Sequence, residues 1–172
     1  MLDSFRDRFA KSRALAELKR RGIFINGNCD IDPSASIEDT CKLDSVIIGK
    51  GCELRNSVYI RHANIGSGSR IGYHTTINGT KDNPVTIPAG TVLEAGTRIE
   101  PESGLNFYDL EDGEYAYFVQ TISGYRPVAM LGGKQYLGDF VRPGENFESA
   151  ISDLLKSKGR IFHPTAIAGR AV

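Results

Sequence analysis

No stretch of this chain is apolar for long enough to span a bilayer, and its N-terminus lacks the apolar core and small-residue cleavage pattern of a secretory signal. A cytoplasmic protein with no membrane partner is the expectation. Neither sign of charge is in excess: 21 lysines and arginines face 21 aspartates and glutamates, so the whole-chain field gives no reason to expect nucleic acid. The balance is local, because Arg6, Arg8, Lys11, Arg13, Lys19, Arg20 and Arg21 crowd the first 22 residues, whereas residues 94–114 are acidic. Cysteine is scarce. The chain's 3 cysteines, with no CxxC and no neighbouring histidine, make neither a disulfide framework nor a zinc site, and no metal is expected.

What the chain does have is a repeat. Aliphatic residues recur at Ile25, Ile31, Ile37, Leu43, Ile48, Leu54, Ile60, Ile65, Ile71, Ile77, Ile87, Leu93 and Ile99, in steps of six with a regular step of five. Grouped in threes they give coils of equal length: IDPSAS IEDTCK LDSVI, IGKGCE LRNSVY IRHAN and IGSGSR IGYHTT INGTK. A further turn, IPAGTV LEAGTR IEPESG, follows an apparent insertion, DNPVT, at residues 82–86.

The fourth residue after each anchor is small or of moderate size: Cys29, Ala35, Cys41, Cys52, Val58, Ser69, Thr75, Thr91 and Thr97. Neither helical periodicity nor simple alternation explains this second column. A triangular parallel coil does, with the anchor filling the prism and the small companion packing beside it near a corner. All three cysteines fall in this column on different faces, so they are expected to be structural. Gly49, Gly51, Gly66 and Gly68 suit tight corners, where φ is positive or backbones approach closely.

Residues 1–22 read as a helix capped by Asp3 or Ser4, carrying Phe5, Phe9, Leu15 and Leu18, ending at Gly22, and covering the open first coil; a basic amphipathic helix could instead lie on a membrane or bind nucleic acid, but the bottom of a solenoid needs covering in any case. Residues 23–104 are the solenoid. Residues 105–172 read as an α+β appendage: strands EYAYFVQT and YRPVAML around a turn at Ser123-Gly124, then a helix over 145–157 with Phe147, Ile151, Leu154 and Leu155 on one face. The last twelve residues resume the six-residue spacing at Ile161 and Ile167 and stop in mid-repeat, which leaves open whether the chain is a fragment.

Two of the three histidines fall within the repeat. His62 is two residues after anchor Ile60 and His74 three after Ile71, so both are expected at corners, facing out. Subtracting one coil maps His74 onto Ser57. The two are therefore separated by about one face, on the order of 15 Å, and cannot share a metal within one chain. His163 lies far away in sequence.

The spacing resembles the hexapeptide repeat of left-handed parallel β-helices. The resemblance implies a mainly β fold of about four left-handed coils, with the helical cap before it and the α+β appendage after it. Within it, NSVYIRHANIGSGSRIGYHTTING, residues 56–79, resembles the acetyltransferase half of the bifunctional glucosamine-1-phosphate acetyltransferase/N-acetylglucosamine-1-phosphate uridyltransferase. The likeness implies acetyl-CoA as co-substrate, a sugar or sugar phosphate as acceptor, and a site at a homotrimer interface. A phosphate-binding lysine of that family corresponds to Arg61, which keeps the charge and adds a bidentate fork. The family's catalytic histidine corresponds to Tyr73; this chain has its histidine one place later, at His74. IRHANIG is also similar to the IxHxxxIG segment of hexapeptide acyltransferases, whose catalytic histidine is two after the anchor, as His62 is.

The expected catalytic residues are His74 and His62, either of which could deprotonate an attacking amine or hydroxyl. Arg61, Arg55, Tyr73 and Asn78 are the expected substrate-binding residues. Two further readings accompany the transferase: a non-catalytic trimeric β-helix that serves as an assembly or sugar-binding module, and a metal site of the gamma-type carbonic anhydrase kind.

Overall fold

A computed structural model of the chain describes residues 2–100, 111, 114–121, 124–131 and 135–161. A helix, α1 (Leu2–Arg20), is followed by short strands: β1 (Phe24–Asn26), β2 (Asp30–Ile31), β3 (Ser36–Ile37), β4 (Lys42–Ile48), β5 (Glu53–Leu54) and β6 (Tyr59–Ile65). Then come β7 (Arg70–Ile71), β8 (Thr76–Asn78), β9 (Val85–Ile87), β10 (Thr91–Leu93) and β11 (Arg98–Ile99). The appendage supplies β12 (Glu114–Thr121), β13 (Gly124–Leu131), a short 3-10 turn (Leu137–Phe140), α2 (Phe147–Lys158) and β14 (Gly159–Ile161). The fold is mainly β, a parallel solenoid of about three turns with two helices among the described residues.

The anchors stack in register. Ile31 lies over Ile48, Ile65 and Ile87 on one face. Ile37, Leu54, Ile71 and Leu93 align on a second, and Ile25, Leu43, Ile60, Ile77 and Ile99 on a third. Each pairing is parallel. The anchors from Ile31 to Ile99 are buried, and together with the small column they form one continuous core. Burial of this kind contributes about 25 cal/mol for each Å² of apolar surface removed from water, spread evenly along the prism because every coil repeats the same contact.

The small companions do more than save space. Ser69 Oγ donates to the Gly66 carbonyl at 2.8 Å, Thr91 Oγ1 to Pro88 at 2.7 Å and Thr97 Oγ1 to Glu94 at 2.7 Å. Cys41 Sγ donates to the Arg55 carbonyl at 3.0 Å and Cys52 Sγ to that of Gly66 at 3.1 Å. A small side chain with a donor satisfies corner carbonyls that no strand reaches, which is why serine, threonine and cysteine share the column. Cys41 and Cys52 are buried and Cys29 is half-buried, as expected for structural thiols. Gly68 has φ +72°, whereas a Cβ on Gly66 would lie 2.6 Å from the Pro88 carbonyl carbon: one glycine serves conformation, the other proximity.

Helix α1 ends at Gly22, with φ +86°, through paired bonds from Gly22 N to Lys19 O at 3.0 Å and Ile23 N to Leu18 O at 3.1 Å, the Schellman pattern. Its start differs from expectation. The helix already includes Leu2, so Asp3 and Ser4 lie inside the first turn rather than at the cap. Leu18 is buried in the core and Leu15 packs against it, but Phe5 and Phe9 are 67% and 60% exposed.

The expected insertion also shifts. Val85 and Thr86 pair with Ala63 and Asn64, so they belong to the coil. The extra residues fall within Gly79–Pro84, which replaces the single corner residue of the earlier coils. Strands β12 and β13 pair antiparallel as expected, and β12 extends the second face through β10. Helix α2 buries Ile151 and half-buries Leu154, while Phe147 remains 49% exposed and does not join them. The tail after Ile161, residues 162–172 with His163 and Ile167, lies outside the described residues.

Candidate functional site

The coil turns its corners through residues with positive φ. One column comprises Gly27 (φ +65°), Ser45 (+55°) and His62 (+45°), with Gly79 at the same place one coil on but without positive φ; another comprises Thr40 (+66°), Ser57 (+62°), His74 (+57°) and Gly96 (+76°). Both histidines are therefore corner residues, as the spacing predicts. An L-residue in this region is strained by about 1–3 kcal/mol. That serine and threonine occupy the same corners one coil earlier shows that the strain belongs to the coil rather than to catalysis. Of the eight positions, six do without histidine's chemistry and two have it.

The columns bound the third face at opposite ends. His74 N donates to the Asn56 carbonyl at 3.2 Å, which seats it directly over Ser57, while His62 follows Arg61 at the corner in the middle of β6. With five residues between the two corners, the imidazoles are on the order of 15 Å apart. One proton cannot be shared between them.

The six predicted residues divide accordingly. At one edge, Tyr73 and His74 are exposed, and the Arg55 guanidinium carbon lies 4.9 Å from the centre of the Tyr73 ring. Glu38 holds this edge with both oxygens: Oε1 accepts from Arg55 Nη1 at 2.9 Å and Oε2 from the Asn56 amide at 2.8 Å. Arg55 is thereby aimed at the tyrosine rather than left to solvent, and its Nε is buried with no partner. At the other edge stand His62, Arg61 and Asn78, the last two side by side in register. Arg61 Nε is 3.8 Å from Asp44 Oδ2, a carboxylate that also accepts from Ser45 Oγ at 2.8 Å.

These ion pairs carry a signal that the sequence reading missed. Arg55, Arg61 and Arg70 each meet an acid 17 residues earlier, Glu38, Asp44 and Glu53, because 17 residues make one coil. The periodicity that located the core also places these charges on adjoining rungs. Solvent-exposed pairs of this kind contribute about 0–1 kcal/mol each.

A second polar cluster has no counterpart in the sequence reading. Arg70 bonds Glu53 at 2.6 Å and lies 5.4 Å from the centre of the Tyr136 ring, contributed by the appendage. Burial pushes the Tyr136 phenol up to about 12, and its Oη has no partner. Beside it the Glu94 carboxylate accepts the Leu137 amide, and burial raises its pKa above the ordinary carboxylate value. This seam joins solenoid to appendage. No local motif could reveal it, since Glu94 and Leu137 are 43 residues apart.

Among the described residues no group of three or more histidines, cysteines or carboxylates is placed to hold a metal ion. No described helix is long and apolar enough to cross a membrane.

No protein-family model matches the chain, and no curated protein matches it. Among solved structures, it is similar to a protein of Desulfovibrio desulfuricans G20 provisionally named an acetyltransferase, at 15% identity and a TM-score of 0.44 over 87% of this chain. It is also similar to the acetyltransferase domain of PglB from Neisseria gonorrhoeae FA1090, solved with acetyl coenzyme A, at 15% identity and a TM-score of 0.25 over 61% of this chain. The chain accounts for 39% of the first protein's length and 51% of the second's.

Proposed function

We propose that this chain is the solenoid of an acyl-CoA-dependent acetyltransferase acting on a sugar or sugar phosphate. In this reading the coils are left-handed and four in number, the helix α1 covers the first of them, and the active form is a homotrimer. The observation that carries the proposal is the edge formed by His74, Tyr73 and Arg55: an exposed corner imidazole beside a guanidinium that Glu38 holds in place.

His74 accepts the proton of the acceptor's hydroxyl or amine as that atom attacks the thioester carbonyl of acetyl-CoA. A C–O or C–N bond forms, the C–S bond breaks, and the departing thiolate takes the proton back from the imidazole. A backbone N–H facing the carbonyl steadies the oxyanion, and Arg55 holds the acceptor's phosphate. His62, Arg61 and Asn78 lie at the opposite edge of the same face, too far to assist within one chain. Packing three prisms around an axis brings the edge of one subunit against its neighbour, so a trimer supplies a cleft with a histidine edge on each wall.

The test is release of free CoA thiol from acetyl-CoA with amino sugars and sugar phosphates as acceptors. The expected result is turnover that His74→Ala lowers by about 100-fold or more and that Arg55→Ala affects chiefly through the acceptor's KM. Acetyl-CoA at a hundred times its dissociation constant would stabilise the fold by about 2.7 kcal/mol. The absence of both turnover and a thermal shift at millimolar acetyl-CoA overturns the reading.

The non-catalytic module is the second reading. It is favoured by the neutralisation of Arg55 and Arg61 by acids one coil away. A thermal shift with sugar alone and no thiol release would establish it instead.

A further inference from the structure

Helix α1 is apolar on two sides, and only one of them has a partner. Leu18 is buried in the solenoid core, Leu15 packs against it, and Lys11 on the same side is tied to Asp30 at 2.8 Å. Leu2, Phe5 and Phe9 are 74%, 67% and 60% exposed. At 100° per residue they lie roughly 140–200° around the helix from Leu18, so the stripe they form points away from the chain's own core. No rigid tilt of α1 can bury both sides on one solenoid.

The charges around this stripe are of one sign. Arg6 and Arg13 flank it on one side and Arg8 on the other, whereas Asp3 and Asp7 lie toward the Leu18 side. Lys11, Arg20 and Arg21 are engaged with Asp30, Glu17 and Asp39. Arg6, Arg8 and Arg13 are exposed and enter no ion pair among the described residues. A second copy of α1 laid against the stripe would bring arginine to arginine. An anionic lipid surface instead takes the phenyl rings below its headgroups and pairs its phosphates with the guanidinium groups.

We propose that the N-terminal half of α1 docks on anionic membranes through Leu2, Phe5 and Phe9, with Arg6, Arg8 and Arg13 pairing with the headgroups. This goes beyond the transferase reading and does not depend on it. The zero net charge of the chain conceals the site because the balancing acids lie elsewhere. The contact is peripheral, with the solenoid remaining in water. If the chain assembles through its prisms, several helices engage one surface and their weak affinities multiply.

The chain contains no tryptophan, so Phe9→Trp in the full chain introduces a single indole within the stripe. Titration with vesicles of phosphatidylcholine and phosphatidylglycerol is expected to shift its emission to the blue, and vesicles of phosphatidylcholine alone are not. Adding Arg6→Gln and Arg13→Gln is expected to weaken binding about fivefold for each arginine removed, as does raising the salt. Phe5→Ser in the otherwise native chain, followed by vesicle sedimentation, checks the stripe without the reporter, and an unchanged Tm shows that the fold is intact. Equal binding to neutral vesicles, or none to anionic ones, overturns the proposal. So does a blue shift that follows protein concentration without lipid, which would make the stripe a contact between copies.

Discussion

Two glycines at matching corners separate crowding from backbone conformation as reasons for glycine. A Cβ on Gly79 would sit on the His62 carbonyl oxygen and 2.8 Å from Val85 N, although Gly79 does not have positive φ. A Cβ on Gly96 meets nothing within 4 Å, yet its φ is +76°. Gly96→Ala should therefore carry only the conformational penalty, about 1–2 kcal/mol. Gly79→Ala must push one backbone off another, and neither neighbour is a flexible side-chain end. It should exceed the cost at Gly96 and reach about 3 kcal/mol or more. For a chain of this size each kcal/mol moves Tm by roughly 2–4 °C, so the two variants are resolvable by urea denaturation and by thermal melts. In the transferase reading the variants also differ locally, because Gly79 rests on the His62 corner and Gly96 on the His74 corner. Equal destabilisation, or a milder effect at Gly79, would refute the packing argument.

Glu94 sets a pH dependence. Its pKa is raised in the folded chain, chiefly by burial and despite the Leu137 amide, so the folded state holds this proton more tightly than the unfolded. The corresponding stability is fully present below the ordinary carboxylate pKa and is lost as pH rises through the raised value. Melting temperature followed from acidic to neutral pH should show this loss, and Glu94→Gln should flatten that part of the profile. The thiols give a third expectation, because burial pushes Cys41 up to about 11 and encloses Cys52 while Cys29 is half-buried. Maleimide near pH 8 should label Cys29 alone in the folded chain and all three cysteines in urea, counted by intact mass; rapid labelling of Cys41 in the fold would contradict the burial.

Much of the solenoid was legible before any coordinate. Equal coils stacked in parallel make residue i the neighbour of residue i+17, so a list of isoleucines already specified which side chains touch. The same rule would have paired Glu38 with Arg55, Asp44 with Arg61 and Glu53 with Arg70, had it been applied to the charges as well as to the core. Corner placement of His62 and His74 followed too, because position within a six-residue step sets direction.

The insertion was misplaced because Val85 is both a plausible loop residue and a good strand residue, and only its pairing with Ala63 decides. The N-cap expectation failed because local capping chemistry does not fix where a helix begins when the preceding residue is itself helical.

The sequence by itself determined the rung, the core and the corners, since these depend on contacts that recur at one fixed separation. Only the tertiary structure decided that the Arg55 guanidinium stacks on Tyr73 beside His74, that Glu94 meets Leu137, and that α1 packs on the core through Leu18 and Leu15. Those outcomes depend on how elements of different period meet, and no repeat connects a helix at 100° per residue, a three-sided coil and an appendage far along the chain.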